Sequence, residues 1–345
     1  MPTRSPIAGV CYPRDYGEFM AWFPTDDDCA DYLEWLRWPF GFACPGCQSV
    51  SACRLADGRY KCTGCRKCTS VTAGTIFDRT RTPLTVWFHA AWHFATQKDG
   101  ISALALQRDL ALSSYQTVWA MLHRLRSVAV RPGRERLSGD VEVDETFIGG
   151  KAPGDKGGRT HGEKALVAIA VERREPKGWW RCRMAVIPDA SSASLGAFLQ
   201  DNVEAFSTVV ADGWGPYEKA CDDLYVHEPH VAPGRKASEV LPAVHEVAGL
   251  VKKWLNSTHQ GAIGDEHLHL YLNEYVFRFN RRRSGSRGLL FYRLFELAVA
   301  ARPARYRQFI VAKRPKATKP APPATRGVPL SLERSHADRP CRRAA

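Results

Sequence analysis

Two sets of residues in this chain stand at spacings that chemistry requires. The first is a pair of Cys-x-x-Cys knuckles, Cys44/Cys47 and Cys62/Cys65, with 14 residues between them. Four thiolates so arranged can close a tetrahedral zinc site, two ligands from each knuckle. Pro45, Gly46 and Gly64 are expected to permit the tight turns, and Cys53 and Cys68 fall outside the four-ligand pattern. No fifth group is placed to act on a substrate, so this zinc is expected to be structural. The second set is acidic. In "VEVDETFIGG", residues 141–150, Glu142, Asp144 and Glu145 crowd a segment whose valines alternate as in a strand, and Asp212 closes the apolar stretch "TVVAD". Carboxylates on rigid strands suit hard divalent cations such as Mg²⁺. A pair of such cations can activate the attacking oxygen and stabilise the leaving one in phosphodiester chemistry. Asp144 and Asp212 are therefore the candidate ligands, while Glu145, one residue on, points to the other side of its strand.

The elements that must position these residues divide the chain into four pieces. Residues 1–80 hold a short helix, introduced by Thr25 and the acids Asp26, Asp27 and Asp28, followed by the cysteine knuckles. Residues 81–138 are helical, with Thr82 as a cap and Pro83 at the first helical position. Leu104, Leu106 and Leu110 mark one short helix and Val118, Met121, Leu122 and Leu125 a second. This spacing fits a helix-turn-helix whose second helix offers Ser114, Tyr115, Gln116 and Arg124 outward, and it fits a plain helical hairpin equally well. Residues 139–308 alternate in the order three strands, helix, strand, helix, strand, helices, the order of a ribonuclease-H-like mixed α/β domain. Residues 309–345 are rich in proline and in Lys/Arg without periodicity, and are expected to form a disordered basic tail. The fold class is therefore α+β and multidomain.

The bulk numbers narrow the function. With 49 Lys+Arg against 36 Asp+Glu, a net charge of +13 over 345 residues suits a polyanionic partner such as nucleic acid. "FRFNRRRSGSRG", residues 277–288, places Arg281, Arg282 and Arg283 among aromatics as a phosphate-binding strip. No apolar run approaches the ~20 residues of a membrane helix. The N-terminal stretch has no secretory apolar core, and six of the eleven cysteines cluster at 44–68, which points to metal in a reducing cytoplasm. Neither a Gly-x-Ser-x-Gly elbow nor a phosphate-cradling Gly-rich loop is present, which excludes the usual serine-hydrolase and ATP-dependent classes.

The segments "FACPGC…YKCTGCRKCTSVTAGTIFDRTRTPLTVWF", "VEVDETFIGG", "VVADGWGPY" and "WLNSTHQGAIGDEHLHLYLNEYVFRFNRRRSGSRGLLFYRLFELA", in that order, resemble the zinc-ribbon transposases of ISXO-like bacterial insertion sequences. The resemblance runs from about residue 23 to about residue 305. It implies a DDE-type transposase acting on double-stranded DNA, both element ends and target, as a homo-oligomer. Metal-dependent hydrolysis would be followed by transfer of the freed 3′-hydroxyl. It also implies catalytic roles for Asp144 and Asp212. The third acid of such a site is expected on "PAVHEVAGLVKKWL", where this sequence departs from the pattern. Val244, Ala248, Val251 and Leu255 form a buried stripe at helical spacing, and His245 and Lys252 share the face beside it, whereas Glu246 projects elsewhere. Related transposases pair the third residue with a lysine seven positions on, which favours His245 over Glu246. Histidine can ligate Mn²⁺ or Mg²⁺, though it suits hard Mg²⁺ less well than a carboxylate. The alternative is a catalytically decayed, transposase-derived protein that binds DNA without cutting it.

Overall fold

A computed structural model describes residues 6–149, 164–174, 178–231, 237–261 and 263–310. The basic tail beyond residue 310 lies outside the described residues. Two helices open the chain, α1 (Tyr16–Trp22) and α2 (Asp26–Arg37). α2 starts on a reciprocal capping box: Thr25 Oγ1 accepts from Asp28 N at 3.2 Å, and Asp28 Oδ2 accepts from Thr25 N at 3.1 Å. A small antiparallel sheet follows, β1 (Ala52–Arg54), β2 (Tyr60–Cys62) and β3 (Cys68–Thr69). Arg37 fastens it to α2, donating to the carbonyls of Ser70, Val71 and Ala73 at 2.6–3.1 Å.

Helices α3 (Leu84–Thr96), α4 (Ala103–Asp109) and α5 (Tyr115–Val128) come next. Pro83 is the residue before α3 rather than its first, and Thr82 does not cap it. Asp26 of α2 caps it from a distance, accepting from Thr85 N at 2.9 Å. Ser102 and Ser114 cap α4 and α5, and Ala111, at φ 47°, makes the turn between them. Leu106, Val118, Met121, Leu122 and Leu125 are buried as expected, but Leu104 is 48% exposed. Arg124 differs too. Its Nε donates to Ala304 O at 2.9 Å and its guanidinium lies over Trp87, so it is not offered outward with Tyr115 and Gln116.

The remaining elements are β4 (Asp140–Ile148), β5 (Ala165–Arg174), β6 (Gly178–Ile187), α6 (Ser192–Asn202), β7 (Thr208–Ala211), α7 (Pro216–Cys221), β8 (Val226–Pro229), α8 (Ala237–Val240), α9 (Pro242–Thr258), α10 (Asp265–Phe279), α11 (Arg287–Ala300) and α12 (Tyr306–Phe309). The five strands form one mixed sheet in the order β6-β5-β4-β7-β8. β4, β5 and β6 are antiparallel neighbours, whereas β7 runs parallel to β4 and β8 parallel to β7. Residues alternate between two apolar layers. Val141, Val143, Ala168 and Ala170 face α6 and α7, while Ile148, Val167, Ile169 and Val171 face α9 and α10. A third core joins α1–α5 to α11, with Phe19, Phe88, Phe291 and Phe295 at its centre, so the helical region is closed by a helix nearly 200 positions downstream.

One buried ion cluster ties the helical core to the sheet layer. Arg126 of α5 and Glu274 of α10 are 1% and 0% exposed and pair at 2.7 Å, and Arg278 approaches the same carboxylate at 3.5 Å. Arg126 also lies 3.9 Å from the Tyr271 ring and Arg278 lies 4.7 Å from that of Trp254. Removing one member of a buried pair leaves uncompensated charge and costs about 3–5 kcal/mol. Glu274→Gln is therefore expected to lower stability by about that amount, read as a fall in the urea midpoint at unchanged slope. A loss under ~1 kcal/mol would show that the two arginines are neutralised by something else.

Candidate functional site

The cysteine knuckles form one closed cluster. Cys44 Sγ lies 3.6 Å from Cys65 Sγ and Cys47 Sγ 3.5 Å from Cys62 Sγ, and all four sulfurs fall within 4.8 Å of one another. Tetrahedral Zn–S bonds of ~2.3 Å require sulfurs about 3.8 Å apart, so these residues fit the metal. The two knuckles are built alike. Gln48 N donates to Cys44 O at 2.9 Å and Arg66 N to Cys62 O at 3.0 Å. The left-handed residues are Gln48 (φ 62°) and Arg66 (φ 61°), one place after each second cysteine, rather than Gly46 or Gly64. Backbone N–H groups of Cys65 and Gly64 hold the Cys62 thiol down to about 6, which favours the thiolate that zinc binds.

The acids gather on the central strand. Parallel β4–β7 pairing sets Asp140 beside Thr208, Val141 beside Val209 and Glu142 beside Val210. The same register carried two residues further sets Asp144 beside Asp212, just past the end of β7. By alternation both face the α9 side. Asp212 is exposed, and one of its oxygens accepts from Trp214 N at 3.0 Å, so it shapes the turn while its other oxygen points away from that bond. Glu145 faces the opposite layer, where it accepts from the Tyr217 hydroxyl at 2.7 Å.

Helix α9 completes the arrangement. Its buried face carries Val244, Ala248, Val251 and Leu255. His245 and Lys252 both look toward β4: His245 Nε2 stands 3.5 Å from Asp144 Oδ2, and Lys252 Nζ donates to Thr146 Oγ1 at 2.6 Å. Glu246 turns to β6, where it accepts from Trp179 Nε1. His245 Nε2 is a buried polar atom with no hydrogen-bond partner, as a metal-ligating nitrogen would be in a metal-free chain. Among the described residues, however, the cysteines are the one set of three or more potential ligands drawn within 4.8 Å of each other, so Asp144, Asp212 and His245 form a more open group.

Glu142 was not singled out from the sequence, yet it holds the site together. It is 1% exposed, and its Oε2 accepts from Ala243 N at 2.7 Å and Val244 N at 3.0 Å, the open N-terminus of α9. Arg173 approaches its other oxygen at 3.6 Å. The available signal was alternation: Glu142 shares the face of Asp144, the face that packs against the apolar layer of α9 and α10. Thr146 lies on that same face.

Burial, then the Glu145 charge, push the Asp144 carboxyl up to about 7, and Asp212 adds to this. Burial and the Lys252 charge hold the His245 imidazole below its usual range, and burial does the same for the Lys252 amine. A carboxylate this reluctant to ionise without a counter-charge suits a cation site.

The arginine strip divides. Arg282 is half-buried, its guanidinium donating to the carbonyls of Trp179, Trp180 and Phe279 at 2.5–2.9 Å. Arg281 lies over the Phe277 ring and Arg283 over Trp180, on the walls of one cavity.

Comparison with known proteins bears on these clusters. Residues 24–68 match the transposase zinc-ribbon domain, and residues 136–280 match the ISXO2-like transposase domain. An uncharacterized protein in transposable element ISH50 of Halobacterium salinarum is 25% identical over 283 residues, covering 76% of this chain and 92% of that protein. The zinc-ribbon match spans all four cysteines, and the second match spans Asp144, Asp212, His245 and Lys252. Among the described residues no helix is long and apolar enough to cross a membrane.

Two outcomes follow for these clusters. Purified protein is expected to carry one zinc per chain, lost in Cys62→Ser, with chelation unfolding the ribbon; elemental analysis and circular dichroism check both. The second outcome concerns pH in metal-free protein. Because Asp144 titrates near 7 when folded but near 4 when unfolded, its contribution is fully present below pH ~4 and is lost as pH rises through about 7. Asp144→Asn should therefore melt higher than wild type at pH 8 in EDTA, with the gap closing toward pH 4.

Proposed function

We propose that this chain, which belongs to the zinc-ribbon transposases of ISXO-like insertion sequences, hydrolyses phosphodiesters at the ends of its element and joins the freed 3′-hydroxyls to target DNA. The observation that carries this is the β4–β7 register, which sets Asp144 beside Asp212 on the face that His245 and Lys252 approach from α9. We take the sheet order β6-β5-β4-β7-β8 and the helices on its two faces as a ribonuclease-H-like domain.

In this proposal Asp144 and Asp212 hold Mg²⁺ or Mn²⁺, with His245 as the third ligand. Divalent cations there would activate the attacking oxygen and stabilise the leaving one. Glu142 fixes the start of α9 against β4 and so sets the direction of His245. Lys252, held by Thr146, presents a cation beside the acids, placed to meet a phosphate oxygen. The zinc ribbon and the α4–α5 unit, with Tyr115 and Gln116 exposed at the start of α5, are the proposed contacts to the element ends. A homo-oligomer on DNA is part of the proposal, since two ends must be joined. One observation favours the alternative of a DNA-binding protein that no longer cuts: the third position is an imidazole, a weaker partner for Mg²⁺ than a carboxylate.

The test is cleavage of DNA carrying the element's ends, with Mg²⁺ and with Mn²⁺. Asp144→Asn and Asp212→Asn should each abolish cleavage and joining while leaving DNA affinity within a few-fold, because they keep shape and remove the charge that holds cations. Glu145→Gln should be milder, and His245→Ala should reduce activity more than Glu246→Ala. Activity higher in Mn²⁺ than in Mg²⁺, reversed in His245→Glu, would match an imidazole ligand. Full activity in both aspartate variants would remove the proposal, and no cleavage by wild type in either metal would favour the binding-only alternative.

A further inference from the structure

Where the segment after α5, the edge strand β6, the end of α10 and helix α11 meet, they line a half-open cavity of about 1060 Å³. Among the described residues seven arginines line it against two glutamates, with no aspartate or lysine. Some are compensated. Arg131 pairs with Glu135 at 2.5 Å and Arg293 with Glu296 at 2.7 Å. Arg181 reaches Glu172 at 2.6 Å, but that carboxylate is shared with Arg174.

Among the described residues three others hydrogen-bond only to uncharged groups, although the Glu172 charge also acts on Arg183. Arg134 donates to Asn202 Oδ1 at 3.1 Å, and Arg281 donates to Phe277 O at 3.1 Å. Arg183 donates to Cys182 O at 2.9 Å and to Glu135 O at 2.6 Å, and its Nε has no partner although the residue is only 3% exposed. Burial and neighbouring guanidinium charges push Arg183 and Arg281 each down to about 10. Like charges gathered out of water are unfavourable unless an anion joins them.

This cluster is separate from the candidate catalytic acids. Arg183 is in register with Ala170, and Ala170 with Val143, on the α6–α7 face of the sheet. Asp144, one residue on, faces α9. Guanidinium forks match phosphate oxygens in pairs, and the volume reaches the upper end of ordinary ligand pockets, roughly 300–1,000 Å³. That is room for linked phosphates rather than a single small ion.

We propose that this cavity is a binding site for linked phosphates, in which Arg134, Arg183 and Arg281 supply the unneutralised charge. A phosphate chain there would bridge β6 of the sheet to α11 of the helical core, drawing the two together. The inference goes beyond the cutting reaction and holds whichever chemistry the acids perform. Two sources share this chemistry, the backbone of DNA and a free polyphosphate.

The experiment uses full-length, zinc-loaded protein at fixed ionic strength and inorganic tripolyphosphate as the probe, followed by calorimetric titration and thermal melting. Saturable binding is expected, with a rise in melting temperature that matched sulfate does not reproduce. Arg134→Gln and Arg281→Gln break no ion pair, and each should weaken tripolyphosphate at least tenfold while melting as cooperatively as wild type without ligand. Absence of saturable binding to wild type, or unchanged affinity in both variants, overturns the proposal. If duplex DNA displaces tripolyphosphate, the occupant is the DNA backbone; if DNA and tripolyphosphate bind together, it is a free polyphosphate. Cleavage, scored separately with Asp212→Asn, keeps failure of this site distinct from failure of the transposase chemistry.

Discussion

The parallel pairing of β4 with β7 is the constraint on which the candidate site depends. Parallel neighbours cannot be joined by a hairpin, so the chain must leave β4, build β5, β6 and α6, and return on the other side. That detour is what brings Asp212 to Asp144, and the pairing decides which residues meet. A slip of one position would turn Asp212 toward the α6–α7 layer and place an apolar residue beside Asp144. The register is protected from such a slip by burial on both faces: Val209 and Ala211 are sealed on one side and Val210 on the other.

A strand in the middle of a sheet ordinarily excludes carboxylates, and β4 carries three in four positions. Each meets a different physical solution. Glu142 is neutralised by the N-terminus of α9 and by Arg173, so it works as a fastener rather than a ligand. Glu145 is turned to the opposite layer and takes a phenol proton donor. Asp144 is left in a half-buried place with a backbone N–H of Glu145 as its compensation, 3.5 Å from an imidazole nitrogen that has no hydrogen bond among the described residues. Burial raises all three carboxylates, and Asp144, pushed up to about 7, faces His245 where a cation would stabilise its charged form.

Much of this was legible in residue spacing. The helix carried by "PAVHEVAGLVKKWL", the strand in "VEVDETFIGG" and the opposed directions of His245 and Glu246 follow from periods of 3.6 and 2. What failed was whatever depends on partners distant in sequence. Thr82 and Pro83 carry local start signals, yet the effective cap is Asp26 on another helix. Leu104 sits at an apolar position of its helix and is exposed, because α4 turns Ala103 and Leu106 into the core instead. Arg124 and Arg282 look like surface charges in the sequence, and both are consumed by backbone carbonyls of other elements.

The arginines show how the net charge of +13 is organised. One group is spent on architecture: Arg37 on the ribbon, Arg282 on β6, and Arg126 with Arg278 around Glu274. In each of these, carbonyls or a buried carboxylate engage the guanidinium. Around the β6–α11 cavity the ratio is reversed, with guanidiniums crowding each other and three of them, Arg134, Arg183 and Arg281, hydrogen-bonding only to neutral groups. Folding alone gives no reason to gather them there, because apolar residues of similar volume would pack the same junction at lower electrostatic cost. Their concentration at the joint between helical core and sheet makes sense when a polyanion completes the structure, so that the partner's own charge holds the two halves in one orientation.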